Sequence, residues 1–172
     1  MRNAKGESTA LARPSELGSA ARMWRLARPE DDERLVELCL QLYREDPGQV
    51  TVSPEQARRT LELFRREPWR GRAAALELDG AVHGYALLVS FWSNEWGGEV
   101  CEVDELFVAP GPRGHGHGSA LFDAIERAQV WPSPPVAIAL GVTAGNSRAR
   151  ALYERLGFRA VGTTMARRPQ GR

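Results

Sequence analysis

A chain of 172 residues suits one domain with a core of its own and is too short for two domains of ordinary size. Hydrophobic residues at 42% and charged residues at 26% are ordinary for a globular protein, and no apolar run approaches the ~20 residues of a membrane-spanning helix. Basic residues (23) nearly balance acidic ones (22), for a net charge of +1, which argues against nucleic-acid binding through bulk charge. Cys39 and Cys101 lie in no CxxC or metal spacing and read as buried thiols, not as a disulfide framework.

Residues 1–22 mix Ser, Gly, Ala and Pro without a period and are expected to form a loose leader, with a short helix as the alternative. Arg2 and Lys5 are followed by no apolar stretch, so no secretory signal is read and a cytoplasmic location is expected. The folded domain is expected over residues 23–172.

A short strand is predicted over 23–27. Pro29 sits at a first helical position, and Glu30, Asp31 and Asp32 fill the first turn, as the helix dipole favours. Leu35, Leu38, Cys39 and Leu42 then recur on one helical face until Asp46-Pro47-Gly48 ends the helix. Ser53, Pro54 and Gln56 form a capping box that opens a second helix with Ala57, Leu61 and Phe64 on its buried side, stopped at Pro68. Strands follow over 72–78 and 81–92, joined by the hairpin signal Asp79-Gly80, and over 99–108 after a polar turn. Ala109-Pro110-Gly111-Pro112 cannot continue a central strand.

The glycine-rich stretch after it opens a helix with Leu121, Ile125 and Ala128 on one side, broken by Pro132 to Pro135. A strand over 136–142, a helix from Asn146 and Ser147 to Gly157, and a last strand over 158–165 complete the order. The class is α/β with a mixed, mostly antiparallel central sheet flanked by helices on both faces.

The stretch Arg113-Gly114-His115-Gly116-His117-Gly118-Ser119 follows a strand and opens a helix. Its glycines let the backbone turn sharply, and the helix start aims unpaired N–H groups outward, which suits a pyrophosphate. Arg113 adds a fixed positive fork. No Lys-Ser/Thr pair follows, so this is not a P-loop. His115 and His117 have no third or fourth ligand nearby in sequence, so no metal site is expected.

A second constellation runs from Asn146 to Phe158. With it the chain resembles the GNAT-type N-acetyltransferase family. Arg113, Gly116 and Gly118 match that family's coenzyme A loop, R/Q-x-x-G-x-G/A. Asn146, Ala149, Leu152, Tyr153, Gly157 and Phe158 match its second motif, N-x-x-A-x-x-L-Y-x-x-x-G-F. Leu106-Phe107-Val108-Ala109-Pro110 resembles the strand before the loop.

The resemblance implies acetyl-coenzyme A as co-substrate and a GNAT-like acyl-coenzyme A N-acyltransferase fold. The backbone of Leu106, Phe107 and Val108 would hold the pantetheine arm, and the loop from Arg113 to Ser119, with Asn146, the rest of the cofactor. Tyr153 would be the general acid. The base would stand at Glu102 or Asp104, with Asp104 favoured because polyamine-type members carry adjacent acids there. Strict alternation puts Glu102 and Asp104 on one face of the strand and Glu105 on the other.

Glu105, Trp92 and Trp96 are candidates for holding a cationic amine through charge and cation–π contact. The expected acceptor is a small amine such as a polyamine, an aminoglycoside or a metabolite. A protein lysine or N-terminus, and a non-catalytic acyl-coenzyme A-binding module, are the alternatives. No nucleic acid and no membrane are expected as partners, and a homodimer is expected from the habit of the family.

Overall fold

A computed structural model describes residues 23–48, 50–163 and 165–167, so the leader expected over 1–22 lies outside the described residues. The chain forms two compact units, one ending at Leu140 and one beginning at Gly141.

In the first unit, β1 (Trp24–Leu26) leads through a 3-10 turn (Pro29–Asp31) into α1 (Asp32–Glu45). Next come α2 (Pro54–Arg66), β2 (Gly71–Leu78), β3 (Ala81–Ser93), β4 (Gly98–Val108), α3 (His117–Glu126) and β5 (Ala137–Leu140). The capping box is made as expected: Ser53 Oγ accepts the Gln56 N–H at 3.2 Å, and Gln56 Oε1 accepts the Ser53 N–H at 2.8 Å. Asp79 and Gly80 both take positive φ (50° and 78°), the geometry of a two-residue hairpin whose turn matches the strand twist.

The strands stand in the order β1-β2-β3-β4-β5. The first four pair antiparallel and β5 pairs parallel to β4, which requires the crossover that α3 supplies. Among the described residues no helix is long and apolar enough to cross a membrane.

The two-residue period sorts side chains onto two faces. Ala75, Tyr85, Leu87 and Phe107 face α1 and α2 and meet Leu35, Leu38 and Leu61. Trp24 and Leu76 are directly opposed in the ladder and face the other way, where α3 packs on β1 and β4 with Leu121 and Ile125 fully buried. Trp24 Nε1 donates to the carbonyl of His117 at 2.8 Å and pins the start of α3 to the sheet. Each large side chain buried this way contributes roughly 1.5–3 kcal/mol. This is the mixed, helix-flanked sheet read from the sequence.

Ala128 departs from its expected place in the α3 stripe. The helix ends two residues earlier, with Gln129 N–H on Ala124 O (2.9 Å) and Ala128 N–H on Ile125 O (3.0 Å). This is a Schellman end with alanine, at φ 54°, where glycine is usual.

In the second unit, α4 (Ser147–Arg155) ends in the same motif. Phe158 N–H reaches Tyr153 O and Gly157 N–H reaches Glu154 O, both at 3.0 Å, and Gly157 has φ 88°. The strand expected over 158–165 is not formed by the described residues there. Strand propensity makes no strand without a ladder partner, and Gly162 weakens the run.

Candidate active site

β4 changes character at Asp104. Leu87 pairs with Glu105 and Leu88 with Val103, so Asp104 is the extra residue of a β-bulge. The bulge resets the alternation. Glu102, opposite Val89, and Glu105, opposite Leu87, therefore share the face toward α1 and α2, which corrects the expectation that Glu105 lies across the strand from Glu102. On its other edge β4 pairs with β5 only over Val100–Val103. Beyond that, residues 104–108 have no ladder partner on the β5 side among the described residues.

Ala109 N–H donates to His83 O at 2.8 Å. Ladder bonding alternates, so Leu106 and Val108 aim their N–H and C=O groups away from β3. The Val108 C=O on this edge accepts from Arg113 Nε; the rest has no ladder partner among the described residues and is an edge which an amide-bearing ligand can join.

Beside the bulge, between α1, α2 and the sheet, lies a cavity of about 250 Å³. Leu35, Cys39 and Tyr43, four residues apart on α1, line one wall, and Asp104 and Glu105 line another. Glu105 is the polar centre. Tyr43 Oη donates to Oε1 at 2.8 Å, Tyr85 Oη donates to Oε2 at 2.6 Å, and the Cys39 thiol approaches Oε2 at 3.8 Å. Tyr85 reaches it as the diagonal cross-strand neighbour, since Tyr85 opposes Phe107 and Leu87 opposes Glu105.

Burial pushes the Glu105 carboxyl above its ordinary range; the Tyr85 and Tyr43 hydroxyls pull it back, and the Asp104 charge adds to the rise. Burial and the Glu105 charge push both phenols up, and the Cys39 thiol to about 11, so all three remain protonated donors at neutral pH. Asp104 is exposed as a residue, but the protein crowded around its carboxyl at the cavity removes part of its water and raises it as well. Glu102 stands in the paired half of β4, between Val89 and Ala139, and is not among the residues lining the cavity.

In the glycine loop, Gly114 and Gly116 have φ of 89° and 81°, with open space where a Cβ would stand. Gly116 is the N-cap of α3. The first intrahelical bond is Ala120 N–H to Gly116 O (3.0 Å), which leaves the N–H groups of His117, Gly118 and Ser119 without an intrahelical partner. Arg113 anchors this loop: Nε donates to Val108 O at 2.6 Å, a terminal nitrogen pairs with Glu45 at 2.7 Å, and the guanidinium lies 5.0 Å over the Phe107 ring. His115 Nδ1 lies 3.2 Å from Pro112 O, and its ring centroid is 6.1 Å from that of His117, whose imidazole burial pushes down. Among the described residues no group of three or more His, Cys, Asp or Glu is placed to hold a metal ion.

Trp92 and Trp96 stand at the β3–β4 hairpin end, 72% and 43% exposed, and neither lines the cavity. In the second unit, Asn146 Oδ1 accepts the Ala149 N–H at 3.0 Å and caps α4. The Tyr153 ring packs edge-on to Phe158 at 5.8 Å.

Sequence reasoning brought Asp104 and Glu105 to this site and missed Tyr43, Tyr85 and the role of Cys39. The available signal was weak: a tyrosine on a buried strand or helix face must place its hydroxyl on some acceptor.

A mixed sheet with a bulged fourth strand, a glycine loop at a helix start and an acidic cavity beside the bulge are the features of the acyl-coenzyme A N-acyltransferase fold. The chain belongs to the Acetyltransferase (GNAT) family, which it matches over residues 34–158.

Solved structures agree on the fold. A possible acetyltransferase from Clostridium difficile 630 is 19% identical, with TM-score 0.71 over 85% of this chain and 95% of that one. An integron cassette protein from the mobile metagenome of Cole Harbour Salt Marsh is 23% identical, with TM-score 0.72 over 91% and 96%. A ribosomal-protein-alanine N-acetyltransferase from Brucella melitensis biovar Abortus 2308 is 19% identical, with TM-score 0.65 over 84% and 98%. No curated protein matches the chain.

Proposed function

We propose that the protein transfers an acetyl group from acetyl-coenzyme A to the primary amine of a small cationic molecule. The observation that carries this reading is the bulge at Asp104, in the half of β4 that β5 leaves open and beside a cavity bearing two carboxylates. Acetyl-coenzyme A supplies the activated acyl group, and its parts match what the chain offers. The open edge at Leu106 and Val108 would pair with the amides of the pantetheine arm. The unpaired N–H groups at the start of α3, approached across the open glycines, would hold the pyrophosphate.

An amine must lose its proton to attack, and at neutral pH that costs roughly 4–5 kcal/mol for a lysine-like group. Asp104 is the proposed base, directly or through one water. The outward N–H of Leu106 would stabilise the oxyanion, a contact typically worth ~3 kcal/mol. Tyr153 would return a proton to the departing thiolate, the role its place in the second motif implies. Apolar walls around a cavity of about 250 Å³ favour a small acceptor over a protein segment.

Thermal unfolding with acetyl-coenzyme A, ATP or NAD in excess tests the reading. A ligand at ~100 times its dissociation constant adds roughly 2.7 kcal/mol of apparent stability. A shift with acetyl-coenzyme A alone is expected; a larger shift with ATP or NAD overturns it. Tyr153→Phe is expected to lower kcat with acetyl-coenzyme A binding retained, and unchanged turnover removes the acid role.

A further inference from the structure

Resting on that reading, we propose that the acceptor is a compact monoamine with an uncharged, apolar body, and that the cavity discriminates against diamines, polyamines and zwitterionic amino acids. The case is one of charge, placement and size. Among the described residues lining the cavity, Asp104 and Glu105 are the sole charged ones. They are neighbours on one strand, so the negative charge is gathered at one place. Away from Cys39 and Tyr43, which already face Glu105, the walls that α1 and α2 contribute are Leu35, Val36, Ala57 and Leu61, with only the neutral Gln56 and Thr60 as polar groups on α2.

An ammonium therefore has a partner at the β4 end alone. A second ammonium, at the far end of a diamine, would lie against aliphatic side chains with no counter-charge. The carboxylate of an amino acid would enter beside Asp104 and Glu105, with no lysine, arginine or histidine in the described lining to receive it. Glu105 already has neutral donors on both oxygens, from Tyr43, Tyr85 and Cys39, so its position is set before any ligand arrives. At about 250 Å³ the cavity holds one aromatic ring or a short alkyl chain. It falls below the ~300–1,000 Å³ usual for small-molecule sites, which favours a compact acceptor over a multi-ring aminoglycoside.

Two matched pairs of amines test this: phenethylamine against free phenylalanine, which adds a carboxylate, and hexylamine against hexamethylenediamine, which adds an ammonium. Binding to the full chain is measured by calorimetry, with and without coenzyme A. The monoamine of each pair is expected to bind at least about tenfold more tightly. Equal or tighter binding of phenylalanine or the diamine overturns the proposal, as does failure of both monoamines to bind under either condition. Thr60→Glu places a charge on the α2 wall and is expected to narrow the hexylamine preference by about tenfold; an unchanged ratio removes this cavity as the binding site.

Thiol release from acetyl-coenzyme A is followed separately. Monoamine-selective binding without thiol release sinks the acetyltransferase reading and leaves the cavity assignment standing. Thiol release with the diamine preferred does the reverse.

Discussion

Asp31 is a buried carboxylate and Glu105 a half-buried one, and their partners are of opposite kinds. Asp31, 6% exposed, receives the Arg25 guanidinium on both oxygens, at 2.7 and 3.0 Å, and the Arg28 N–H at 2.7 Å. Glu77 holds Arg25 from its other side. The guanidinium holds the Asp31 carboxyl below the ordinary aspartate range, ahead of the opposing effect of burial. Glu105 has three donors as well, two phenols and a thiol, and none carries charge. Its carboxyl is pushed up, not down. The number of hydrogen bonds does not separate these sites; the charge of the donor does. A guanidinium neutralises its carboxylate and makes a joint between β1 and the turn into α1. Neutral donors fix a carboxylate in place and leave its negative charge facing the cavity, where a cation can use it.

The largest effect is expected at the carboxylate beside Glu105. Asp104→Asn should lower kcat/KM roughly 10²–10³-fold, the contribution of a positioned base, with the unfolding temperature unchanged because the side chain is exposed in a bulge. Full activity in this variant would move the base to Glu102 or Glu105. Asp31→Asn should reduce unfolding free energy by about 3 kcal/mol in denaturant titration, because Arg25 keeps only Glu77 as a charged partner. A much smaller loss would place the value of the joint in its neutral hydrogen bonds.

Glu105→Gln should leave stability at pH 7 unchanged or raise it by about 1 kcal/mol, since a half-buried, partly desolvated charge is removed and the amide can still accept from a tyrosine. Amine affinity should fall in the same variant, and a large loss of stability instead would make Glu105 structural.

The two sites also carry opposite pH signs. The lowered carboxyl of Asp31 contributes stability that is present above the ordinary aspartate value of about 3.9 and is lost as pH falls through the folded value. The raised carboxyl of Glu105 contributes below the ordinary glutamate value of about 4.3, and that contribution is lost as pH rises through the folded value. Denaturant midpoints across the acid range should show Asp31→Asn flattening the fall on acidification and Glu105→Gln leaving it steeper. The smallest effect concerns the two Schellman ends. Ala128→Gly should stabilise by about 0.5 kcal/mol, as relief of the left-handed strain outweighs the added freedom of the unfolded chain.

Much of the fold is local chemistry and was legible. The Ser53–Gln56 box, the Asp79-Gly80 turn and the apolar stripes of α1 and α2 each follow from a few adjacent residues, and each is found where it was expected. The glycine loop was legible for the same reason: positive φ at Gly114 and Gly116 is a property of those residues. The faces of β4 were not. Alternation assigns Glu102, Asp104 and Glu105 correctly only if the strand is regular, and the slip between Leu87 and Leu88 is a relation between two strands. Ala128 shows the limit at a helix end, where a helical period continued on paper past the point at which the backbone turned left-handed.

By itself, the sequence determined the elements up to α4, their order, the caps and turns, the glycine loop and the family, because each depends on neighbouring residues or short fixed spacings; the last strand it also suggested is not formed by the described residues. Tertiary structure alone decided that Asp104 is a bulge residue, that Glu105 faces the cavity, and that Cys39, Tyr43 and Tyr85 meet on it from sequence separations of 66, 62 and 20 residues. It also decided that β5, which ends at Leu140, pairs with β4 only as far as Val103. Register, the extent of pairing and convergence on a half-buried carboxylate are properties of pairs of distant segments, and no local pattern encodes the partner.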